Sequence, residues 1–335
     1  MPKRDRRVPP PTGTGDEPAA TATEDHSPEV GGWPSSRPII IGDPTLEFEP
    51  RAIGYEYQRA PYRPDTVIDG WSHGGFTIRA ASMRGHLHRF NGAPRQDDLA
   101  IAIPDQRERL IVAVADGVSA AGQSHIGSTT AVRYASQWLV TEDAGNLGDI
   151  AWRSLFESTA WKLNEVAVTT LSMPEVDAAR AELALATTLT CAVCEPNNDA
   201  TLSVVIAGVG DSGAWLLSGG NFARVWGGKE ASEAGLTSSA VSGLPQVPHT
   251  VEPAELIVWP GDVLLIGTDG FGDPLGGGTG SVGGLFRDAF TGRIPSPLEF
   301  AHLLDFSRET FDDDRTLVAV WPSRGGSEQP WHSSD

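Results

Sequence analysis

The order of elements that the sequence predicts indicates an α+β fold of two packed antiparallel sheets with helices outside. Short apolar runs bounded by Gly, Pro and Asn predict one group of strands early in the chain and another after its middle. Two long amphipathic helices separate the groups, and two further helices precede a last strand. The sequence has no run of alternating βα units and no G-x-G-x-x-G motif after a strand, so a parallel nucleotide-binding sheet is not expected.

Each element follows from its own pattern of apolar residues. Alternating or continuous apolar runs predict strands at 76–82, 99–103, 110–115, 184–194, 201–208, 214–217, 222–226, 255–258, 262–266 and 316–321. Apolar residues at helical spacing predict helices at 126–139 and 150–170, and shorter helices are predicted at 173–183, 282–290 and 297–308. The polar or Gly-rich connections at 83–98, 228–246 and 276–284 are predicted to be loops.

Four regions follow from shifts in composition along the chain. Residues 1–37 are rich in Pro, Gly, Ser, Thr and acids, which predicts a disordered tail. Residues 38–74 are punctuated by prolines and are predicted to pack on the domain as an N-terminal extension. The folded domain is expected at 75–321, and a loose polar tail at 322–335.

Composition and charge exclude several classes of protein. The chain has 335 residues, of which 39% are hydrophobic, and a formal net charge of -19. Nucleic-acid binding and binding to an anionic membrane both need a basic face, so neither partner is expected. No apolar stretch follows the basic N-terminus as in a secretory signal, and none approaches the roughly 20 residues of a membrane span. A cytoplasmic location is therefore expected.

The two cysteines are predicted to be buried thiols. Cys191 and Cys194 lie three residues apart in a predicted strand, which places them on opposite faces. They are therefore unsuited to chelating one ion, and the chain has no second pair to complete a zinc site. Free thiols of this kind agree with a cytoplasmic protein.

Two predicted strands each deliver an acid and a glycine at their ends. The first is the run Ile111–Gly117, which ends in Asp116-Gly117, and the second is Val263–Gly270, which ends in Asp269-Gly270. A glycine after the acid allows the backbone to turn sharply. Asp-Gly is also a common turn signal, so either copy alone is weak evidence for a functional site. The hypothesis of a site depends on further acids in similar positions.

Six acids lie at predicted strand ends or beside glycines in apolar surroundings. They are Asp97, Asp116, Asp211, Asp269, Asp273 and Asp313. Carboxylates that converge repel one another unless a counter-charge is present. Ligands that are all oxygen favour Mg²⁺ or Mn²⁺ over zinc. Two such ions ~3.5–4 Å apart hold a shared hydroxide at neutral pH and stabilise in-line attack on phosphorus.

The motifs that carry these acids resemble those of a known family in their order and rough spacing. The motifs are Gln96-Asp97, Ala115-Asp116-Gly117, Gly208-Val209-Gly210-Asp211-Ser212, Thr268-Asp269-Gly270-Phe271-Gly272-Asp273 and Asp313-Asp314-Arg315-Thr316. Together they resemble the metal-dependent Ser/Thr protein phosphatases of type 2C, the PPM family, in its bacterial form. The resemblance covers about residues 75–321. Each motif alone is weak, whereas five in order are a strong signal.

The resemblance implies a four-layer α-β-β-α sandwich with a metal site at one end of the sheets. By position, Asp116 would bridge two Mg²⁺ or Mn²⁺ ions, and the carbonyl of Gly117 would bind the first ion. Asp269 and Asp313 would bind the second ion. Asp97 would orient a metal-bound water. These positions imply hydrolysis of phosphoserine and phosphothreonine in a phosphorylated protein, the target of a Ser/Thr kinase.

The resemblance assigns two further acids to the site, and the identity of the last ligand depends on how the final motif is aligned. Asp211 and Asp273 resemble the acids that create an optional third ion site. The run Asp312-Asp313-Asp314 leaves the last ligand open by one residue. Asp313 is chosen because Thr316 then matches the Thr or Ser that follows in the family.

The sequence departs from the family's pattern at three positions. Val118 stands where many eukaryotic members carry a histidine proposed as general acid, so protonation of the leaving group would fall to a metal-bound water. Gly92 stands where the phosphate-binding arginine usually lies, and Arg89 and Arg95 flank it as the candidate replacements. Gly213 stands where relatives often have arginine.

Three other interpretations concern the histidines and the function of the fold. His86 and His88, in the same loop as the first motif, are assigned to a loop role or to support of the ligands rather than to direct metal binding. A pseudophosphatase, or regulatory binding module on the same fold, is the alternative to an enzyme, and it predicts lost metal acids. An unrelated acidic cation-binding protein would require the order of the motifs to be accidental.

Overall fold

Eleven strands and seven α-helices occur in the residues that the computed structural model describes, which are 38–46, 49–54, 57, 63–104, 108–142, 144–227 and 243–323. The strands are β1 Thr66–His73, β2 Phe76–Met83, β3 Asp98–Ala102, β4 Leu110–Ala115, β5 Leu189–Pro196, β6 Leu202–Val209, β7 Gly213–Ser218, β8 Asn221–Gly227, β9 Ala254–Val258, β10 Val263–Gly267 and β11 Arg315–Pro322. The helices are α1 His86–Asn91, α2 Ser124–Thr141, α3 Trp152–Thr170, α4 Ala178–Leu185, α5 Asp269–Leu275, α6 Ser281–Phe290 and α7 Pro297–Leu304. A short 3₁₀ helix spans Leu147–Asp149.

The strands form two antiparallel sheets. One sheet has six strands in the order β1-β2-β11-β10-β7-β8, and the other has five in the order β3-β4-β5-β6-β9. All nine strand pairs are antiparallel. The α+β class and the two antiparallel sheets predicted from the sequence are therefore confirmed.

Alternation along the central strands produces four layers. In β4, Val112 and Val114 pack in the core between the sheets, against residues such as Ile206 and Leu264. The intervening Ile111, Ala113 and Ala115 instead pack under α2, α3 and α4. A third cluster joins the outer face of the six-stranded sheet to α5, α6 and α7. Because successive side chains of a strand point to opposite faces, one apolar strand serves two cores. The predicted α-β-β-α sandwich is confirmed.

Three elements differ from the sequence-based prediction, and one of them is α5, which begins at Asp269 where no helix was predicted. Strand β1 lies inside the segment 38–74 predicted as an extension, and it pairs with β2 along its whole length. It is an edge strand, so its side chains are only half-buried or exposed, and the apolar alternation that signals a strand is weak. Helix α1 lies in the predicted loop 83–98, and its six residues are too few to show a helical period.

Several predictions concern residues outside the described part of the chain. These are the tail 1–37, most of the C-terminal tail and most of the predicted loop 228–246. Cys191 and Cys194 are free and buried, as predicted. Within the described residues, no helix combines the length and the apolar character that a bilayer-spanning segment needs.

Candidate metal-binding active site

Five acids meet at one end of the two sheets. In an antiparallel sheet the end of each strand lies beside the start of its neighbour, so acids at strand ends and at strand starts converge. The register confirms this arrangement, because Ala115 at the end of β4 pairs with Asp98 at the start of β3. The acids are Asp116, Asp211 and Asp269, which follow β4, β6 and β10, and Asp97 and Asp313, which precede β3 and β11.

Three of these acids form the centre of the site. Asp116, Asp211 and Asp269 each offer a carboxylate oxygen, and these oxygens all lie within 4.8 Å of one another. All three side chains are half-buried. Burial raises the pKa of Asp116 well above its usual range, and the nearby charges of Asp97 and Asp269 raise it further. The cluster is therefore a concentration of negative charge that a cation would relieve.

The backbone of Asp116 is fixed by two threonines that precede β5. Its N–H donates to the hydroxyl of Thr188 at 2.9 Å. Its carbonyl accepts from the backbone N–H of Thr188 at 2.8 Å and from the hydroxyl of Thr187 at 2.9 Å. Strand β5 therefore sets the position at which β4 delivers its acid.

The glycine after each strand-ending acid is required by close packing rather than by a turn. A Cβ on Gly270 would lie 1.8 Å from the carbonyl oxygen of Asp314. A Cβ on Gly117 would lie 2.8 Å from the Cβ of Ser124 and 2.9 Å from the carbonyl oxygen of Gln96. Neither glycine has the positive φ that would call for glycine on conformational grounds, so the predicted reason for these residues is corrected.

Asp97 is a buried acid held by hydroxyls from the other sheet. Its Oδ2 accepts hydrogen bonds from Thr268 and Thr316, each at 2.8 Å. Burial raises the pKa of Asp97 well above its usual range, and the charges of Asp314 and Asp313 add to the effect. Thr268 follows β10 and Thr316 is the second residue of β11, so Asp97 connects the first motif to the last two.

Asp313 belongs to a second group of possible ligands. Its carboxylate, that of Asp314 and a ring nitrogen of His88 lie within 4.8 Å of one another. Asp313 is the exposed member of this group, whereas His88 and Asp314 are buried. Desolvation, followed by the charges of Asp314 and Asp269, raises the pKa of Asp313 to about 6. Asp313 is therefore close enough to Asp269 to interact electrostatically with the central three acids.

Asp314 connects the loop of the first motif to the loop of the last. Its carboxylate accepts the backbone N–H of Gly85 at 2.6 Å and that of Gln96 at 2.5 Å. His88 Nδ1 lies 2.9 Å from Asp314 Oδ1. Burial opposes ionisation of Asp314, but His88 and the two backbone donors outweigh it and lower the pKa of this carboxyl. Asp314 is therefore a buried, ionised anchor beside Asp313.

Both arginines predicted to bind phosphate are engaged by carboxylates of the fold. Arg95 is 1% exposed and pairs with Asp98, and it also bonds to the hydroxyl of Ser82. Arg89 pairs with Asp65 at 2.9 Å and with Asp305 at 3.3 Å. Both guanidinium groups therefore stabilise the fold through these ion pairs, and their role in binding phosphate stays a prediction.

The remaining predicted positions lie around the cluster. Asp273 is exposed on α5 one turn after Asp269, and among the described residues it is not in either group of close ligands. Gly213 pairs in register with Gly267, beside the end of β10. Val118 follows Gly117 and is half-buried, and its N–H donates to the carbonyl of Ala186.

The donor set fits a hard divalent cation. Asp116, Asp211 and Asp269 supply oxygen ligands only, from rigid strand ends, and their mutual repulsion is what a cation offsets. Mg²⁺ and Mn²⁺ prefer ligands of this kind. The second group includes a ring nitrogen of His88, for which the sequence favoured a loop or ligand-supporting role over direct metal binding.

Comparison with known families and structures identifies relatives of the chain. A model of the family "Protein phosphatase 2C" matches residues 84–295, more than half of the 335 residues. No curated protein matches the sequence.

Solved structures of bacterial phosphatases share the fold. The catalytic domain of the serine/threonine protein phosphatase PstP, in complex with two manganese ions, has a TM-score of 0.52 at 16% identity, covering 75% of this chain and 100% of that one. The S. agalactiae serine/threonine phosphatase has a TM-score of 0.51 at 15% identity, covering 76% and 99%.

Proposed function

Because the chain belongs to the protein phosphatase 2C family and is thereby a metal-dependent protein-serine/threonine phosphatase, we propose that it hydrolyses phosphoserine and phosphothreonine in proteins at this acidic cluster. The observation that supports this site most strongly is the convergence of Asp116, Asp211 and Asp269 within 4.8 Å. A phosphorylated protein is the proposed substrate, and a Ser/Thr kinase is the class of enzyme that must supply it.

Asp116, Asp269 and Asp313, with the carbonyl of Gly117, are the proposed ligands of two Mg²⁺ or Mn²⁺ ions. Asp211 and Asp273 are the proposed ligands of an optional third ion. When bound, such ions would supply a hydroxide nucleophile at neutral pH and would stabilise negative charge on the phosphoryl oxygens. The convergence of Asp116, Asp211 and Asp269 from the ends of three strands supports this assignment.

Asp97 is the proposed group that orients the attacking water. Thr268 and Thr316 fix one of its oxygens, which leaves Oδ1 to bond to water in the site. A carboxyl whose pKa is raised also accepts a proton more readily than an ordinary aspartate does.

A cytoplasmic location is proposed on the basis of the free thiols. Cys191 and Cys194 are both buried and unbridged, and burial raises the pKa of each thiol. Unbridged cysteines are typical of a reducing compartment.

The proposal can be tested by measuring phosphate release from a phosphothreonine peptide in Mn²⁺. The comparison is between variants of two aspartates that lie at opposite ends of β10. Asp269 follows the end of β10, within the cluster, whereas Asp262 immediately precedes its start, at the far end. We expect Asp269→Asn to reduce turnover by about 100-fold or more, because loss of even a residue that supports a metal ligand typically costs about 10–100-fold. Asp262→Asn is the matched control and should retain wild-type turnover. Equal turnover in both variants would show that the site is elsewhere, and a folded, metal-binding protein without turnover would favour the binding module.

A further inference from the structure

The N-terminal segment that precedes the matched family region contacts the first motif directly. Arg63 lies outside residues 84–295 and outside the predicted domain 75–321. Its Nε donates to the carbonyl of Arg95 at 2.9 Å, and its Nη2 donates to the carbonyl of Asp97 at 2.5 Å. One guanidinium thus bonds to the backbone on both sides of Gln96.

The same guanidinium is fixed by side chains of the domain. Nη1 of Arg63 lies 2.9 Å from Asp98 Oδ2 and also donates to the hydroxyl of Thr129. Both members of the ion pair are buried, with side-chain exposures of 7% and 9%. Burial opposes ionisation of Asp98, but Arg63 and Arg95 outweigh it and lower the pKa of its carboxyl. The contact is therefore a specific buried interaction and not a flexible surface pair.

Other residues of the segment contact the rest of the same loop. The N–H of Arg51 donates to the carbonyl of Arg89 at 3.0 Å, and that of Gly54 to the carbonyl of Gly92 at 2.8 Å. The ring of Tyr57 packs edge-on against the ring of His125, with centroids 5.7 Å apart. The segment therefore follows the first-motif loop from α1 to the start of α2.

The backbone of residues 95–97 is held by two different parts of the chain. Asp314 accepts the N–H of Gln96, while Arg63 binds the carbonyls of the residues before and after it. The carboxyl of Asp97 then reaches Thr268 and Thr316 only if this backbone stays in place. Small displacements of positioning groups have large effects on rate.

We propose that Arg63 is a positioning residue for catalysis, which holds the backbone of residues 95–97 so that Asp97 keeps its place beside the metal ligands. The inference rests on the proposed function, and it makes the N-terminal segment a working part of the active site.

The substitution Arg63→Lys tests the proposal, with Arg109→Lys as a matched control. Arg109 is equally buried, at 7% exposure, and likewise binds a carboxylate and two backbone carbonyls, those of Glu195, Ala144 and Gly145. It immediately precedes β4, at the end of that strand opposite Asp116. Lysine keeps the charge in both variants but cannot reproduce the fork of donors.

Steady-state kinetics on a phosphothreonine peptide in saturating Mn²⁺ should separate the two variants. We expect Arg63→Lys to lower kcat roughly tenfold or more with little change in KM, as loss of one or two charge-assisted hydrogen bonds predicts. Both variants should lower Tm to a similar extent, but Arg109→Lys should leave kcat unchanged. Equal kcat losses in the two variants, or a wild-type kcat in Arg63→Lys, would overturn the proposal.

Hydrogen exchange of the metal-free protein provides a readout that does not depend on activity. Backbone amides of residues 95–98 should exchange faster in Arg63→Lys than in wild type, and should be unchanged in Arg109→Lys. If the wild type shows no turnover, the proposed function fails, and this comparison alone decides the role of Arg63. If Arg63→Lys does not fold, Thr129→Val removes one acceptor of the Arg63 guanidinium, leaves the pair of Arg95 and Asp98 in place, and should accelerate the same amides. Unchanged exchange in that variant would contradict the inference.

Discussion

The hydroxyl of Thr268 donates a 2.8 Å hydrogen bond to Oδ2 of Asp97, so the residue that precedes one acid of the cluster holds another. Thr268 immediately follows β10, and Asp97 immediately precedes β3, which belongs to the other sheet. This single bond therefore connects the two sheets at the site. The second hydroxyl, from Thr316, reaches the same oxygen.

Substitution Thr268→Val should weaken catalysis through Asp97. Removing the hydroxyl leaves a buried carboxyl oxygen with one partner fewer, which costs about 1–3 kcal/mol. We expect kcat to fall roughly tenfold, as an energy of that size implies. Thr268→Ser keeps the hydroxyl and should retain most activity. The prediction is contradicted if Val and Ser variants have the same kcat on a phosphothreonine peptide.

Substitution Asp314→Ala should destabilise the fold far more than Asp312→Ala. Asp314 is buried and accepts from two backbone N–H groups and pairs with His88, whereas Asp312 is half-buried. Removing one partner of a buried ion pair costs roughly 3–5 kcal/mol. Urea unfolding of the metal-free proteins measures the difference. Similar losses in the two variants would show that Asp314 does not anchor the loops.

Substitution His125→Phe should make the stability of the protein less sensitive to acid. His125 is buried with both ring nitrogens unpartnered, and burial, followed by the charge of Arg63, lowers its pKa to about 4. Because the folded-state pKa lies below the ordinary value of 6.5, the unfolded chain binds the proton first, and stability is lost as pH falls from 6.5 toward 4. Lowering the pH from 7.5 to 4.5 should cost the wild type about 2–3 kcal/mol more than the variant.

Comparison of His125→Phe with wild type at each pH isolates this residue. The raised pKa values of Asp97 and Asp116 act in the opposite direction, since metal-free protein loses stability as those carboxyls ionise with rising pH. Both proteins share that effect, so it cancels in the difference. Parallel stability curves from pH 4.5 to 7.5 would contradict the assignment.

Substitution Gly270→Ala should disrupt the site, whereas Gly284→Ala should stabilise the protein. The added Cβ of residue 270 would lie 1.8 Å from the carbonyl oxygen of Asp314, so the loops must separate, at an estimated cost of at least about 3 kcal/mol. Gly284 lies within α6 with nothing inside 4 Å of the added methyl, and helix propensity predicts a gain of about 0.5–1 kcal/mol. Thermal unfolding distinguishes the two signs, and a neutral Gly270→Ala would contradict the packing argument.

The fold was predictable because its central strands are apolar on both faces and its long helices are amphipathic. Asp116 and Asp269 were recognisable because each ends such a strand. Strand β1 could not be predicted because it is a half-exposed edge strand, and helix α1 because it is short.

The support of the site was less visible in the sequence than its acids. Arg63 lies in a proline-rich stretch and contacts Asp97 through the backbone carbonyl, which leaves no pattern in residue type. Arg89 pairs with Asp65, which is distant in sequence, and Arg95 pairs with Asp98, which no sequence pattern marks as its partner. Neither ion pair could therefore be inferred from the sequence. Among these supporting residues, Asp314 could be noticed in the sequence, because it adjoins Asp313 in an acidic run.

The central claim is that aspartates of this cluster hold divalent cations which are needed for hydrolysis of a phosphorylated side chain. The most direct test is to measure phosphate release from a phosphothreonine peptide by the wild-type protein, first in EDTA and then as free Mn²⁺ is raised. The account predicts no turnover in EDTA and a saturable rise with Mn²⁺. Turnover in EDTA equal to that in Mn²⁺ would contradict it.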